Sequence, residues 1–195
     1  MSRVPDGSSR GRRGGGSWGD RGRPDAPCGH PEDPPGDPES VARSICLKLL
    51  TMSPKSRAQL ADALVAKGVP DEAAKAVLDR YTEVGLIDDV AFAQAWVSTR
   101  HTGRGLATRA LALELHRKGI DKDIAGAALA TLDPDAEEGA ARVLVERKLR
   151  SMRTLAPEVA TRRLAGMLAR KGYASDVAFR VIREVMRDPR LPGGE

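Results

Sequence analysis

Residues 111–120, LALELHRKGI, carry a pattern that occurs twice more in this chain. Residues 60–69 are LADALVAKGV and residues 164–173 are LAGMLARKGY. In all three stretches, two leucines stand four apart and are followed by Lys-Gly and an apolar residue. The Lys-Gly pairs lie 51 and 53 residues apart. This nearly constant period indicates an internal repeat of three units.

Each copy of the pattern is predicted to be the end of a helix. Leucines four apart lie on one helix face, and lysine favours the negatively polarised C-terminal end. Glycine readily adopts the left-handed conformation that terminates many helices. The apolar residue after it, Val69, Ile120 or Tyr173, is expected to pack back onto the helix just ended.

Each patterned helix is predicted to lie between two others. Apolar residues recur at three and four along the chain, without the alternation typical of strands. The leading helices are predicted at about 39–51, 89–101 and 134–150. The third helices have Glu72, Asp123 and Asp176 in their first turns, where a carboxylate favours the helix dipole. The predicted fold is therefore all-α, an elongated stack of three tandem three-helix repeats over 39–87, 88–133 and 134–188.

Residues 1–38 differ in composition from the rest of the chain. They are rich in Gly, Pro, Arg, Ser and Asp and contain almost no aliphatic side chains, so we predict a disordered tail. The stretch RGRRGGGSWGDRGR is similar to RGG-type nucleic-acid tails. However, six basic residues of the tail meet six acidic ones, which favours a neutral, solvated leader. Residues 189–195 are predicted to be disordered as well.

The whole-chain composition suggests a cytoplasmic protein outside the membrane. The two cysteines make no disulfide framework, as is typical of a reducing compartment. No apolar run approaches the roughly 18 residues of a membrane span. The 32 basic and 27 acidic residues give a net charge of +5, which favours a polyanionic partner only weakly.

No stretch of the chain predicts an enzyme, a metal site or a cofactor site. Asp88 and Asp89 lack a third ligand, and one of them is expected to cap a helix. His101 and His116 lack the spacing of metal ligands. The Gly-Arg-Gly at 103–105 is not followed by the Gly-Lys-Ser/Thr of a phosphate loop.

Phe92 and Trp96 stand four apart on the predicted leading helix of the middle unit. They share a face with Ala93 and Val97, so we predict that they fill the core. A base-stacking platform is the alternative. A basic loop with two glycines is predicted to follow, over 100–105.

Charge is distributed unevenly along the chain. Residues 71–89 hold six acidic and two basic side chains, whereas residues 142–171 hold nine basic and two acidic ones. The basic positions extend into the middle unit, and together they predict an anion-facing surface. The candidate contact residues are Arg100, Arg104, Arg109, Arg117, Lys118, Arg147, Lys148, Arg150, Arg162, Arg163, Arg170 and Lys171.

Three ordered stretches resemble the RecX family, bacterial regulators of the RecA recombinase. They are GLIDDVAFAQAWVSTR, GLATRALALELHRKGID and RRLAGMLARKGYASDVAFRVI. The resemblance covers about residues 39–187 and excludes the tail. Residues 170–173 read Arg-Lys-Gly-Tyr where the family often has Arg-Arg-Gly-Phe, which keeps the charge and the ring.

The resemblance implies a function in homologous recombination, DNA repair and the SOS response. A RecX protein is expected to bind the RecA filament on single-stranded DNA as a cytoplasmic monomer. It is expected to inhibit RecA's ATPase, strand-exchange and coprotease activities without catalysis of its own. The alternatives are a stand-alone helical DNA-binding protein, which would bind bare DNA tightly, and an adaptor that would bind neither DNA nor recombinase.

Overall fold

The computed structural model describes residues 36–188. Within this range the chain forms nine α-helices and one 3-10 turn, with no β-strand, so the predicted all-α fold is confirmed. The α-helices are α1 (Pro38–Met52), α2 (Arg57–Ala66), α3 (Asp71–Glu83), α4 (Asp89–Arg104), α5 (Thr108–Arg117), α6 (Lys122–Leu129), α7 (Pro134–Leu149), α8 (Pro157–Arg170) and α9 (Ser175–Arg187). The predicted disordered segments lie outside the described residues except at 36–38, where Asp37 caps α1 and Pro38 begins it.

The nine helices form three repeats of three helices, each closed around its own apolar core. Repeat 1 comprises α1–α3, repeat 2 comprises α4–α6 and repeat 3 comprises α7–α9. In each repeat the first and third helices pack against each other, and the second helix packs on both. The leucine pair of each second helix is fully buried at the centre: Leu60 and Leu64, Leu111 and Leu115, Leu164 and Leu168.

The Lys-Gly turns end the second helices as predicted. Gly68, Gly119 and Gly172 have φ of 73°, 70° and 89°. The N–H of Val69 donates to the carbonyl of Leu64 over 3.1 Å, and Ile120 and Tyr173 repeat this bond in their own repeats. This is the Schellman arrangement, in which the residue after the glycine closes the last helical turn. All three apolar residues are buried, as the sequence predicted.

The same turns also join one repeat to the next. The Ser56 hydroxyl, at the start of α2, donates to the Lys118 carbonyl over 2.6 Å. The Ala107 N–H, at the start of α5, donates to the Lys171 carbonyl over 3.0 Å. We call these contacts junction 1–2 and junction 2–3. In each, the Lys-Gly turn of the later repeat lies against the start of the second helix of the earlier one.

The predicted basic loop over 100–105 is wrong. Helix α4 continues to Arg104, and Gly105 ends it with φ of 57°. A Cβ on Gly105 would lie 2.8 Å from Leu144 of α7, so this glycine is packed at junction 2–3. The Tyr173 hydroxyl also donates to the Gly105 carbonyl over 3.2 Å. The segment is therefore a fixed helix end, because contacts from repeat 3 hold it.

Candidate partner interface

The twelve predicted contact residues lie in two settings. Nine are exposed side chains, whereas Arg100, Lys118 and Lys171 are half-buried at the junctions. Of these twelve, only Arg100 has an ion-pair partner within residues 36–188. The basic surface is therefore largely free of internal neutralisation, which is what an anion-facing surface requires.

Junction 1–2 brings three cations together. Lys118 of the Lys-Gly turn lies near Arg100 of α4 and near Lys55 in the loop before α2, and the three line one cleft. Glu114 is the nearby carboxylate, and it pairs with Arg100 at 3.6 Å. Lys55 and Lys118 have no ion-pair partner in the described part of the chain. The cleft therefore carries an excess of positive charge.

Phe92 and Trp96 form one wall of this cleft. Phe92 is buried and 8% exposed, which agrees with the predicted core position, whereas Trp96 is only half-buried. Their rings stack with centroids 5.8 Å apart. Lys118 Nζ and Arg100 Cζ lie 4.0 Å and 4.1 Å from the Trp96 ring centroid. Trp96 therefore lies at the edge of the core and also contacts two cations through its ring.

The charge of Lys118 is disfavoured where it stands. Burial is the first cause that lowers the pKa of Lys118, and the positive charges of Lys55 and Arg100 lower it further. Glu114 acts in the opposite direction. An anion entering between these cations would relieve their repulsion.

The Trp96 ring is also fixed from the side. Its Nε1–H donates to Glu114 Oε2 over 2.8 Å. Glu114 therefore holds both the indole and the Arg100 guanidinium, whereas Lys118 lies over the ring without an ion-pair partner in residues 36–188. A lysine side chain has a flexible four-carbon stem, so its ammonium can move without disturbing the ring.

Junction 2–3 repeats this arrangement with aliphatic walls. Arg104 and Arg147 line a groove with Val143 and Leu144. Lys171 Nζ donates to the Arg104 carbonyl over 2.5 Å. Burial first, and then the charges of Arg147 and Arg104, lower the pKa of Lys171. Each junction therefore places a Lys-Gly lysine among cations from both adjoining repeats.

The other seven predicted residues are exposed and line neither the cleft at junction 1–2 nor the groove at junction 2–3. Arg109 and Arg117 are on α5, Lys148 is on α7 and Arg150 is in the 3-10 turn after it. Arg162, Arg163 and Arg170 are on α8. They make a dispersed basic surface, and their role as contacts stays a prediction.

Lys55 is a residue that the sequence analysis missed. It stands one position before the cap of α2, in the loop between α1 and α2. The equivalent positions before α5 and α8 are Leu106 and Leu155, so the repeat carries no signal that would have found it. The twelve predicted residues were instead chosen by local charge density.

Two acidic residues of α3 are paired within repeat 1. Asp79 pairs with Arg57 at 2.6 Å and with Lys75 at 3.1 Å. Hydrogen bonds from Lys75 and then Arg57 lower the pKa of Asp79. Glu83 pairs with Arg80 at 3.2 Å.

The capping prediction for α4 is resolved in favour of Asp88. Its carboxylate accepts from the Ala91 N–H over 2.8 Å, and Asp89 accepts from the Arg57 N–H over 2.9 Å. Asp89 therefore fastens α4 to the start of α2. Residues 36–188 contain no group of three His, Cys, Asp or Glu side chains arranged to hold a metal ion. In the same range, no helix is long and apolar enough to cross a membrane.

Comparison with known proteins identifies each repeat. Three family models match, described as the first, second and third three-helix domains of RecX, at residues 42–80, 88–129 and 136–182. The regulatory protein RecX of Streptomyces lividans is 55% identical over 156 residues, which are 80% of this chain and 83% of that protein. That of Thermobifida fusca is 52% identical over 167 residues, which are 83% of this chain and 90% of that protein.

A solved structure agrees with the fold. The crystal structure of RecX from Lactobacillus salivarius matches with a TM-score of 0.69 and 21% identity, over 76% of this chain and 96% of that one. At that identity the likeness supports the fold alone. The sequence matches extend over all three repeats, and on their strength the chain belongs to the RecX family.

Proposed function

We propose that this chain is a non-catalytic regulator that binds the RecA filament on single-stranded DNA. It inhibits the ATPase, strand-exchange and coprotease activities of RecA, and it acts as a monomer in the cytoplasm. The observation that carries the proposal is family membership across all three repeats, with relatives named regulatory protein RecX. No cofactor has a part in it.

The two junctions supply the physical basis for filament binding. Each gathers cations at a repeat boundary, all but Arg100 without an ion-pair partner in the described residues, and the exposed arginines of α8 add to them. A nucleoprotein filament is a repeating polyanion, and basic side chains that meet it release counterions. Binding is therefore expected to weaken steeply as the salt concentration rises.

The second candidate is a stand-alone DNA-binding protein. The cation-lined cleft at junction 1–2 favours it, since such a cleft needs no recombinase to attract DNA. The two candidates differ in what they require. The regulator needs the RecA filament for tight binding, whereas the alternative binds bare DNA equally well.

Co-sedimentation separates them. The chain is mixed with RecA filaments assembled on single-stranded DNA, with RecA alone and with the DNA alone, at the same ionic strength. The proposal predicts that the chain pellets with the filament at concentrations where it stays in solution with either component alone. Equal association with bare DNA would favour the alternative, and no association in any mixture would refute both.

A further inference from the structure

A cleft of about 440 Å³ lies at junction 1–2, between the loop at 53–55 of repeat 1 and helix α4 of repeat 2. Phe92, Trp96 and Pro54 give it an apolar side. Lys55, Arg100 and Lys118 bring positive charge to the same space, as described above. Pockets of this size hold small ligands, and the volume is enough for one nucleotide.

The lining suits a nucleotide better than an isolated carboxylate. A carboxylate needs only a cation, which exposed arginines of α8 such as Arg163 also offer. A nucleotide needs a flat apolar surface for the base and a cation for the phosphate, within a few ångströms of each other. Lys118 Nζ lies 4.0 Å from the Trp96 ring centroid and 5.8 Å from that of Phe92, so the two requirements meet here.

The Lys118 ammonium can move off the Trp96 ring while the Lys118 backbone stays in place. Its backbone is held by the bond from Ser56 to its carbonyl, while its ammonium lies over the Trp96 ring without a carboxylate partner in the described residues. Its lowered pKa indicates that the charge is poorly compensated there. A phosphate beside Lys55 would draw the ammonium off the ring and uncover the indole face.

We propose that the cleft at junction 1–2 binds one nucleotide of single-stranded DNA, with the base over Trp96 and the phosphate between Lys55 and Lys118. Arg100 stays over the ring, held by Glu114. Stacking on an aromatic ring beside cations is how many proteins bind single strands without sequence preference. This contact involves single-stranded DNA alone, so it can be tested without RecA, and its failure would leave the proposed regulation of RecA to the basic residues elsewhere on the chain.

Tryptophan fluorescence of the full-length chain gives a local test. The chain has two tryptophans, so Trp18→Phe leaves Trp96 as the sole indole. This variant is titrated at low salt with single-stranded oligothymidylate of about 12 nucleotides. The expected result is a saturable change of Trp96 emission, because the base replaces the ammonium over the ring.

Three lysine variants in the same background locate the site. Lys55→Gln and Lys118→Gln are each expected to weaken the fluorescence-detected affinity by about tenfold, the effect of removing one cation from the phosphate. Lys67→Gln is the matched control, because Lys67 occupies the same motif position in repeat 1, is exposed, and adjoins no aromatic ring. It is expected to leave the affinity within about twofold of the parent.

Two other polyanions test whether the cleft selects single-stranded DNA. A DNA duplex of the same length and a polyglutamate peptide of similar charge are expected to change the emission little. The proposal is overturned if oligothymidylate gives no saturable change of Trp96 emission, or if the duplex or polyglutamate changes the emission as much as oligothymidylate does. It is also overturned if Lys67→Gln weakens binding as much as Lys118→Gln. Lys55 forms no side-chain hydrogen bond or ion pair in the described residues, so Lys55→Gln keeps the test valid even if Lys118→Gln unfolds the chain.

Discussion

The hydroxyl of Ser56 donates to the backbone carbonyl of Lys118 over 2.6 Å and so ties repeat 1 to repeat 2. The same side chain accepts from the Gln59 N–H over 3.2 Å and caps α2. Ser56 is fully buried, although it is polar. One residue therefore begins a helix and holds a junction together.

Ser56→Ala is expected to lower the free energy of unfolding by about 2 kcal/mol. The change removes a helix cap, worth about 1 kcal/mol, and leaves the Lys118 carbonyl without its donor. Urea denaturation followed by circular dichroism measures the loss. Ser175→Ala is the control, because Ser175 is exposed in the first turn of α9, and a comparable loss there would show that Ser56 has no special role.

Gly172→Ala is expected to cost about 2 kcal/mol more than Gly68→Ala. Both residues have positive φ, so both substitutions carry the same backbone strain. A Cβ at Gly172 would lie 2.5 Å from the Ala110 N, whereas a Cβ at Gly68 meets nothing within 4 Å. The difference therefore isolates overpacking at junction 2–3. Equal losses of unfolding free energy in urea denaturation would show that junction 2–3 accommodates the added methyl group without cost.

Tyr173 is expected to make stability fall between about pH 10 and pH 12. Burial first, and then the charge of Glu137, raises the pKa of Tyr173 to about 12. Above about pH 10 the unfolded chain loses the phenol proton while the folded chain keeps it, so the unfolded state is favoured as pH rises. The contribution is complete below pH 10 and is lost as pH approaches 12, by about 2 kcal/mol.

Tyr173→Phe provides the comparison. At pH 8 the variant is expected to be less stable by about 1 kcal/mol, because the bond to the Gly105 carbonyl is gone. Its deficit relative to the parent should shrink as pH rises above 10, since phenylalanine does not ionise. Parallel pH profiles for the two proteins would contradict the assigned pKa.

Neutralising the exposed basic residues of repeat 3 is expected to weaken filament binding without unfolding the chain. The variant changes Arg147, Lys148, Arg150, Arg162 and Arg163 to Gln, all of them exposed. Exposed charges contribute little to stability, whereas removing a cation that meets a phosphate makes binding less dependent on salt. Filament affinity measured at several salt concentrations should show a shallower slope.

The matched control neutralises five arginines of the N-terminal segment: Arg10, Arg12, Arg13, Arg21 and Arg23. It removes the same charge from the chain. If both variants flatten the slope equally, the attraction is diffuse and the basic surface of repeat 3 is not a contact site.

The helices and their ends could be predicted because their signals are local. Leucine spacing and the Lys-Gly turns lie within one stretch of chain, and the period of Lys67, Lys118 and Lys171 defines the repeat. The end of α4 could not be predicted in this way. Arg100 to Gly105 contains two glycines and looks like a loop, but Leu144 and Tyr173, from distant stretches, hold Gly105 as a helix cap.

The basic residues of the candidate interface could be predicted from the sequence, but not which of them lie together in the fold. Local charge density selected Arg100, Lys118 and Lys171, but nothing in the linear sequence shows that the junctions gather them with cations from another repeat. Lys55 was missed for this reason. Trp96 lies at the edge of the predicted core. Its contact with cations depends on Lys118, which follows α5 and lies over the Trp96 ring of α4.

The most direct measurement of the proposed regulation is ATP hydrolysis by RecA on single-stranded DNA in the presence of the full-length chain. We predict that the chain lowers the hydrolysis rate in a dose-dependent and salt-sensitive manner. The five-residue repeat 3 variant should inhibit less, and the five-arginine N-terminal control should inhibit as the parent does. A hydrolysis rate unchanged by saturating folded chain would contradict the proposed regulation of RecA.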